Sequence, residues 1–313
     1  MPKMSKLDET ARGVYVIAAT PFADNGALDL SSLDSMLDFY LASGVSGITV
    51  LGIMGEATKL TAEESSTVVS RILKRLDGKI PVVAGVSSPG LAAMSELTKS
   101  VMGEGAAGVM VAPPGSLRTD AQIFGYFRSV ADTLGPDVPF VLQDYPLVTG
   151  VTIDASVIRR IVDALPTCVM LKHEDWPGLA KISALRSASA RDGMRRISIL
   201  VGNGGLFLPE ELARGADGAM TGFAYPEMMV GVCAAHAAGD TTRARDLFDA
   251  YLPLARYEQQ QGIGLAVRKY VLAKRGAIAS ATVRTPGPKL SKEEIDEIEL
   301  LIRRQEKRLA ELG

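Results

Sequence analysis

Residues 167–178 read T-C-V-M-L-K-H-E-D-W-P-G, and this stretch indicates how the chain folds. Its first residues form a continuously apolar run, as expected for a parallel strand that is covered on both faces. Lys172 follows directly, although a buried ammonium is costly unless its charge is paired or lost. The lysine therefore requires an explanation, and so do the histidine and the two acids behind it.

Seven other short apolar runs occur along the chain. They are V-Y-V-I-A-A-T (14–20), G-I-T-V-L (47–51), P-V-V-A-G (81–85), G-V-M-V-A (108–112), P-F-V-L-Q (139–143), I-S-I-L-V (197–201) and D-G-A-M-T (217–221). Segments with helical spacing and helix-start signals separate the runs, such as T-A-E-E at 61–64. Eight β-α units predict an α/β fold, a closed (β/α)8 TIM barrel, because right-handed connections close eight strands around a filled interior.

Only helices are predicted after the eighth strand, at about 226–238, 241–261, 264–275 and 291–312. The sequence therefore predicts a barrel catalytic domain at 1–225 and a C-terminal helical region at 226–313.

The composition is that of an ordinary soluble globular protein, with 313 residues, 47% hydrophobic and 22% charged. A net charge of -2 gives no basic cluster for nucleic acid or an anionic membrane, which favours a small-molecule partner. The N-terminus has no signal-peptide core and no run approaches the ~18 apolar residues of a membrane span, so a cytoplasmic location is predicted. The two cysteines have no metal-binding spacing, and we expect no metal and no cofactor.

Lys172 closes strand six, and in such barrels the chemistry lies at the C-terminal ends of the strands. Desolvation can leave a lysine as a free amine that attacks a carbonyl group and forms a Schiff base. The resulting iminium stabilises a neighbouring carbanion, so C-C bonds can be made or broken without a metal. The alternative is a surface lysine, or an ion pair with Glu174 or Asp175.

The stretch L-G-I-M-G-E-A (51–57) follows strand two and predicts a tight turn. Its glycines, Gly52 and Gly55, leave backbone N-H groups open, an arrangement suited to a carboxylate. Ile53, Met54 and Glu56 complete the turn, and Glu56 is expected to brace it rather than to do chemistry. Alone, such a pattern is usually only a turn.

Several motifs together resemble one enzyme family over about residues 13–300. They are A-T-P-F (19–22), G-I-M-G-E-A-T-K-L-T-A-E-E (52–64), P-V-V-A-G (81–85), Y-P-x-x-T-G (145–150) and L-K (171–172). The family is that of dihydrodipicolinate synthase and N-acetylneuraminate lyase. The resemblance implies a (β/α)8 barrel, a lysine that forms a Schiff base with pyruvate or another 2-oxo acid, and usually a homotetramer.

The resemblance also implies roles for individual residues. It assigns the Schiff base to Lys172 and carboxylate binding to the turn at 52–56. The family has a glycine-rich segment after strand seven that faces the 2-oxo acid, which adds Gly202 to the predicted substrate-binding residues. Thr221, at the end of strand eight, and Gln143, at the end of strand five, are also predicted substrate-binding residues.

The sequence departs from the family where the synthase holds its proton relay. The synthase has two threonines where this chain has Ile53 and Met54, and neither of these can relay a proton. The usual tyrosine at the end of strand five falls on Gln143, and the arginine for the second substrate falls on Val148. A second tyrosine, donated across a subunit interface, falls near Gly115, which leaves homotetramer against homodimer open.

These losses make dihydrodipicolinate synthase itself an unfavoured function. Met54, Leu147, Val148 and Phe223 suggest a more apolar pocket, suited to an aromatic or long-chain aldehyde as partner of the 2-oxo acid. The predicted function is a Schiff-base lyase or aldolase that cleaves or forms a C-C bond, or dehydrates its substrate.

Another group must then transfer protons. Tyr145 is one candidate, because its phenol is close in sequence to the vacant tyrosine position. His173 is the rival, although strand alternation turns it away from the side of Lys172. Asp144 is predicted either to bind substrate or to close the loop through backbone N-H groups. Asp175 is expected to cap a helix that begins near Trp176 and Pro177.

Two other functions remain open. The loop V-G-N-G-G (201–205) follows strand seven, where many barrels bind phosphate, so a Schiff-base aldolase of phosphorylated sugars is one alternative. The other is a barrel that has lost catalysis and binds a 2-oxo acid as an effector.

Overall fold

The computed structural model describes residues 6–176 and 178–313. In this part of the chain eight parallel strands form a closed barrel in sequential order, and β8 pairs with β1. The strands are β1 (Gly13–Ile17), β2 (Gly47–Val50), β3 (Val82–Gly85), β4 (Gly108–Val111), β5 (Phe140–Asp144), β6 (Cys168–His173), β7 (Ser198–Val201) and β8 (Gly218–Ala219). The predicted TIM barrel is confirmed, and each predicted run contains or overlaps one strand.

Helices follow each strand and surround the barrel. They are α1 (Leu30–Ala42), α2 (Ala62–Leu76), α3 (Leu91–Gly103), α4 (Asp120–Leu134), the short α5 (Pro146–Thr149), α6 (Ala155–Ala164), α7 (Leu179–Arg191), α8 (Leu208–Ala213), α9 (Pro226–Ala237), α10 (Thr241–Glu258), α11 (Gly264–Lys274) and α12 (Lys292–Leu312). The start signal T-A-E-E forms a capping box, in which the Thr61 hydroxyl accepts from Glu64 N and the Glu64 carboxylate accepts from Thr61 N.

Alternation along the strands separates two apolar layers. Tyr15 and Ile17 point into the barrel with Met110, Met170 and other large side chains, and these fill its interior. The intervening residues of the same strands pack outwards against the helices in the larger core. Every strand residue is therefore covered whichever way it points, which explains why the strands are continuously apolar in sequence.

The C-terminal helical region predicted from residue 226 begins with α9, which packs against β1 and α8. Helix α9 therefore takes the position of the eighth barrel helix. Helix α10 packs against α9, and α12 packs against α10. Helix α11 follows a turn at the barrel mouth and brings two buried cations, Arg268 and Lys269, towards the ends of the strands. Within the described ranges no helix is long and apolar enough to cross a membrane.

Candidate active site

A cavity lined by polar and apolar side chains lies at the C-terminal ends of the strands. Residues from six of the strands or their following loops and from the C-terminal region line it: Ile17, Ile53, Met54, Gln143, Tyr145, Lys172, Glu174, Asn203, Thr221, Gly222, Gln259 and Arg268. This is the end of the barrel at which enzymes of this fold carry their chemistry. A separate depression lies at the opposite end, beside Gly13 and Asp217, and contains none of the predicted site residues.

Lys172 lies inside this cavity and is 5% exposed. Its Nζ is 3.0 Å from Oε2 of Glu174, which is two residues further along the chain and therefore on the same side. The Gln143 amide donates to the same carboxylate oxygen over 2.6 Å. Gln143 is beside Lys172 in the strand register, so the two strands bring all three groups to one point.

Glu174 is held in position from several directions. The Asn203 side chain donates to its backbone carbonyl over 2.9 Å. A Cβ at position 202 would lie 2.1 Å from the Glu174 Cγ, so Gly202 leaves the space that this side chain occupies. The predicted role of Gly202 was substrate contact; in the structure it lies against Glu174.

Asp144 and His173 alternate with Gln143 and Lys172, and they lie on the outer side of the barrel wall. Asp144 is completely buried and pairs with Lys181 of α7, with Oδ2 and Nζ separated by 2.7 Å. The His173 Nδ1 is 3.9 Å from the same Oδ2, which is too far for a hydrogen bond. Neither ring nitrogen has a hydrogen-bond partner among the described residues. Neither side chain lines the cavity. The prediction of substrate binding by Asp144 and the candidacy of His173 as acid or base are therefore revised.

Burial shifts the pKa values of the two outer residues, His173 and Asp144, in opposite directions. It lowers the pKa of His173 to about 4, and the neighbouring Lys181 cation contributes to the same shift. It raises the pKa of Asp144 to about 6, against the opposing effect of Lys181. At neutral pH His173 is therefore uncharged, whereas Asp144 remains largely ionised and pairs with the Lys181 cation.

Asp175 also pairs with Lys181, at 2.8 Å, and its Oδ1 accepts from Trp176 N over 2.9 Å. Helix α7 begins only at Leu179, with Gly178 at its N-cap and no side-chain cap. The predicted helix start near Trp176 and Pro177 is therefore too early, and Pro177 lies outside the described residues. Asp175 anchors Lys181 instead of capping this helix.

The predicted turn after β2 is a pair of single 3-10 turns. Gly55 N donates to Gly52 O, and Glu56 N donates to Ile53 O. Glu56 adopts a left-handed backbone conformation with φ 54°. Met54 lines the cavity, whereas Ile53 reaches it and is 50% exposed.

A charge network lies beneath this turn. The Glu56 carboxylate accepts from Lys269 over 2.5 Å, from Lys59 over 2.9 Å and from the Arg284 backbone over 3.0 Å. The fully buried Lys269 also donates to Thr20 O and Thr282 O. Burial lowers the pKa of Lys269, and Glu56 opposes that shift. These contacts fit the expectation that Glu56 braces the turn.

The loop after β7 uses its own backbone N-H groups. Gly202 N donates to His173 O, and Gly205 N donates to Gly202 O. Gly204 N donates to the Thr221 hydroxyl over 2.8 Å. These donors are therefore not available to a phosphate, so the geometry does not favour the phosphosugar alternative. Thr221 lines the cavity and orders this loop.

Tyr145 lines the cavity next to Glu174, and burial raises its pKa to about 12. It precedes α5, whose Leu147 and Val148 are 49% and 53% exposed and do not line the cavity. Phe223 is buried against Tyr225 and Tyr251 instead. The expected apolar pocket is thus not supported, since of the four suggested residues only Met54 lines the cavity.

Sequence reasoning missed several cavity residues, and two of them, Gln259 and Arg268, lie beyond the barrel in sequence. Arg268 is 2% exposed, and its Nε is 2.6 Å from the equally buried Glu258. The signal that could have found it is the pair Arg268-Lys269 inside an otherwise apolar part of α11. Buried cations in such a helix need partners or a function. The described ranges contain no cluster of metal-binding side chains.

The fold and the cavity define a class of enzyme: a (β/α)8 barrel with a buried lysine and carboxylate at its mouth. The model of the dihydrodipicolinate synthetase family matches residues 10–305, and the chain belongs to that family. It is accordingly a lyase.

Two curated relatives differ in activity. The chain is 29% identical over 297 residues to L-2-keto-3-deoxyarabonate dehydratase of Azospirillum brasilense, covering 94% of each protein. It is 32% identical over 248 residues to 4-hydroxy-tetrahydrodipicolinate synthase of Methanothrix thermoacetophila, covering 78% of this chain and 81% of the relative.

Solved structures agree with the fold. A crystal structure of dihydrodipicolinate synthase from Rhodopseudomonas palustris superimposes with a TM-score of 0.94 and 53% identity, covering 96% of this chain and 99% of the other. A monomeric dihydrodipicolinate synthase variant superimposes with a TM-score of 0.85 and 26% identity, covering 95% of this chain and 97% of the other.

Proposed function

We propose that the chain is a Schiff-base lyase in which Lys172 attacks the carbonyl of a 2-oxo acid, and that it dehydrates a hydroxylated substrate. The single observation that carries the proposal is the buried Lys172 ammonium, 3.0 Å from the Glu174 carboxylate within the cavity. A carboxylate at this distance can take the proton of the ammonium and release the free amine. No metal or cofactor is required for this step.

The carboxylate of the 2-oxo acid is proposed to bind at the turn formed by residues 52–56. The charges around the turn support this position. The cations Lys59, Lys269 and Arg284 surround Glu56, and Arg284 also pairs with Glu64. Three cations against two carboxylates leave one positive charge, which would attract an anionic substrate.

Glu174 is the proposed acid-base group for the reaction that follows. It would first return the ammonium proton to the carbonyl oxygen, which leaves as water when the protonated imine forms. The regenerated carboxylate would then accept a proton from C3, and the electrons of the C-H bond would form an enamine. Expulsion of the C4 hydroxide, protonated by the same carboxyl group, would then release one water. Gln143 fixes the carboxylate through its 2.6 Å hydrogen bond, and Tyr145 is the second proposed proton donor.

Dehydration of a hydroxylated substrate is favoured over aldol chemistry with an apolar aldehyde because several polar side chains line the cavity beside the apolar Ile17, Ile53 and Met54. Gln143, Glu174, Asn203, Thr221 and Arg268 all line it. The relative of Azospirillum brasilense is named as a dehydratase of a deoxy sugar acid, which supports the same class of substrate. Activity as dihydrodipicolinate synthase is not proposed, because Ile53, Gln143 and Val148 occupy the positions of its threonine, tyrosine and arginine.

The test is reductive trapping. Incubation with pyruvate and borohydride should add a reduced pyruvyl group to Lys172, detected by peptide mass spectrometry. A panel of 2-oxo-3-deoxy sugar acids should then show release of one water per turnover. A label on a different lysine would refute the assignment to Lys172, and no label with any 2-oxo acid would refute the Schiff base and favour a binding protein without catalysis.

A homotetramer or homodimer is proposed for the assembly. The exposed Leu147 and Val148 on α5 support an interface near the cavity mouth, because neighbouring exposed apolar side chains are often covered by a partner. Light scattering coupled to size exclusion would measure the mass. A monomer at micromolar concentration would contradict the proposal.

A further inference from the structure

Arg268 is a charged side chain that the proposed reaction does not use. It lines the cavity together with Lys172, although it comes from α11. Its Nε pairs with Glu258, and its Nη2 donates to Gly222 O over 2.5 Å. Its Nη1 is buried and has no hydrogen-bond partner in residues 6–176 and 178–313. Leaving such a donor unsatisfied is costly, so a ligand that accepts from it would be stabilised.

Two glycines at the barrel mouth make room for side chains of the C-terminal region. A Cβ at position 222 would lie 1.9 Å from the Arg268 Nη1. A Cβ at position 204 would lie 2.7 Å from the Gln259 Oε1, and Gly204 also has φ +64°. The loops after β7 and β8 are thus shaped so that both side chains reach the cavity. This points to a built subsite.

Charge decides what kind of group the subsite takes. Glu258 balances Arg268, and Glu174 balances Lys172. A protonated imine would keep the positive charge at Lys172, so the net charge of these four groups stays at zero during the reaction. A second carboxylate or a phosphate on the substrate would therefore add a buried negative charge with no matching cation. A hydroxyl oxygen can accept from Nη1 without this penalty.

We propose that Arg268 and Gln259 form a subsite that binds hydroxyl groups at the distal end of the substrate. The enzyme would therefore act on polyhydroxylated 2-oxo acids whose distal end is uncharged. This inference rests on the proposed function, since it assumes that the 2-oxo end reacts with Lys172. It makes Arg268 a specificity-determining residue supplied by the helical region outside the barrel strands.

Three substrates that differ only at C5 test the proposal. A 2-keto-3-deoxypentonate has a hydroxymethyl group there, 4-hydroxy-2-oxopentanoate has a methyl group, and 4-hydroxy-2-oxoglutarate has a carboxylate. All three keep the reacting carbonyl and the C4 hydroxyl. The protein should show the highest kcat/KM with the hydroxymethyl compound, by about 10-fold or more over the methyl compound. The carboxylate compound should be the poorest.

Arg268→Lys keeps a cation beside Glu258 but loses the free Nη1. It should lower kcat/KM about 10- to 100-fold for the hydroxymethyl compound and less than about 3-fold for the methyl compound. Gly222→Ala, which displaces the guanidinium, should give the same pattern. Arg186→Lys is the matched control, because Arg186 contacts Asp217, Gly215 and Ile197 outside the cavity. It should leave the ratio of the substrates unchanged.

The outcomes separate the two proposals. Equal losses for the hydroxymethyl and methyl compounds in both variants would overturn the subsite and give Arg268 a structural role. A preference of the unmodified protein for the carboxylate compound would also overturn it, since Arg268 would then bind an anion. If borohydride traps no 2-oxo acid on Lys172 of the unmodified protein, the proposed function itself fails.

Discussion

Lys172 and Lys181 are both largely buried and both pair with a carboxylate, but they lie on opposite sides of the barrel wall. Lys172 and Glu174 face the cavity, whereas Lys181 and Asp144 are enclosed between the sheet and α7. The two pairs have similar distances, 3.0 and 2.7 Å. What differs is access to a ligand, and access follows from which way each strand residue points.

The comparison shows why a buried ion pair alone does not identify an active site. A structural pair such as Lys181 with Asp144 also joins a lysine to a carboxylate and is buried to a similar extent. The inner pair has in addition a cavity and polar neighbours that fix the carboxylate. Substitutions at matched positions on the cavity side and the outer side of the barrel wall can therefore separate effects on catalysis from effects on stability.

The largest effect is expected for the two lysines. Lys172→Arg should lower kcat by about 10⁴ or more and abolish borohydride trapping, since a guanidinium stays protonated and cannot form an imine. Lys181→Arg keeps its ion pair outside the cavity and should retain most of the activity. Steady-state rates and mass spectrometry of the trapped adduct measure both. An active Lys172→Arg variant would show that the lysine on the cavity side is no more necessary for catalysis than Lys181 on the outer side.

The next largest difference in kcat is expected between variants of the two carboxylates, Glu174 and Asp144. Glu174→Gln should lower kcat by about 10³, within the range for a positioned acid-base group, with the fold retained by circular dichroism. Asp144→Asn should change kcat by less than about 3-fold, because this group does not line the cavity. Similar losses of kcat in the two variants would show that the outer side also acts on the reaction.

The sequence was sufficient for the barrel and for Lys172, because both depend on local patterns. Apolar runs mark the strands, and a charge at the end of such a run is visible without a structure. Alternation along β6 turns His173 away from Lys172 as expected. The same alternation along β5 separates Gln143, which lines the cavity, from Asp144, which does not.

Arg268 could not be found in this way. Its place in the cavity depends on the packing of α11 at the barrel mouth, more than 90 residues after Lys172. The expected apolar pocket failed for a related reason. Leu147 and Val148 are close in sequence to Tyr145, yet the short α5 turns them towards the surface.

Tyr145 and His173 give the third comparison. Tyr145→Phe should lower kcat by about 10² and slow adduct formation, if the phenol is the second proton donor. His173→Phe should act mainly on stability, because the ring is buried on the outer side. Pre-steady-state trapping and chemical denaturation distinguish the two effects. An active Tyr145→Phe beside a folded but inactive His173→Phe would transfer the acid-base role to the histidine.

The smallest effect concerns pH and the outer pair alone. The pKa of Asp144 is raised to about 6, so between about pH 4 and 6 the folded state binds a proton that the unfolded state has lost. This makes the free energy of unfolding fall as pH rises. The pKa of His173 is lowered to about 4, so between about pH 4 and 6.5 the unfolded state binds the extra proton. That makes the free energy of unfolding rise with pH.

In the unmodified protein the two dependences should nearly cancel between about pH 4 and 6, because each changes by one proton with opposite sign. Removing one group should reveal the other. Relative to the unmodified protein, His173→Phe should make the slope of the free energy of unfolding against pH more negative, and Asp144→Asn should make it more positive, each by up to about 1.4 kcal/mol per pH unit. Urea denaturation at several pH values measures the slopes. Slopes that change in the same direction in the two variants would mean that Asp144 and His173 do not carry these opposite shifts, and that the pH response of the outer side comes from other groups.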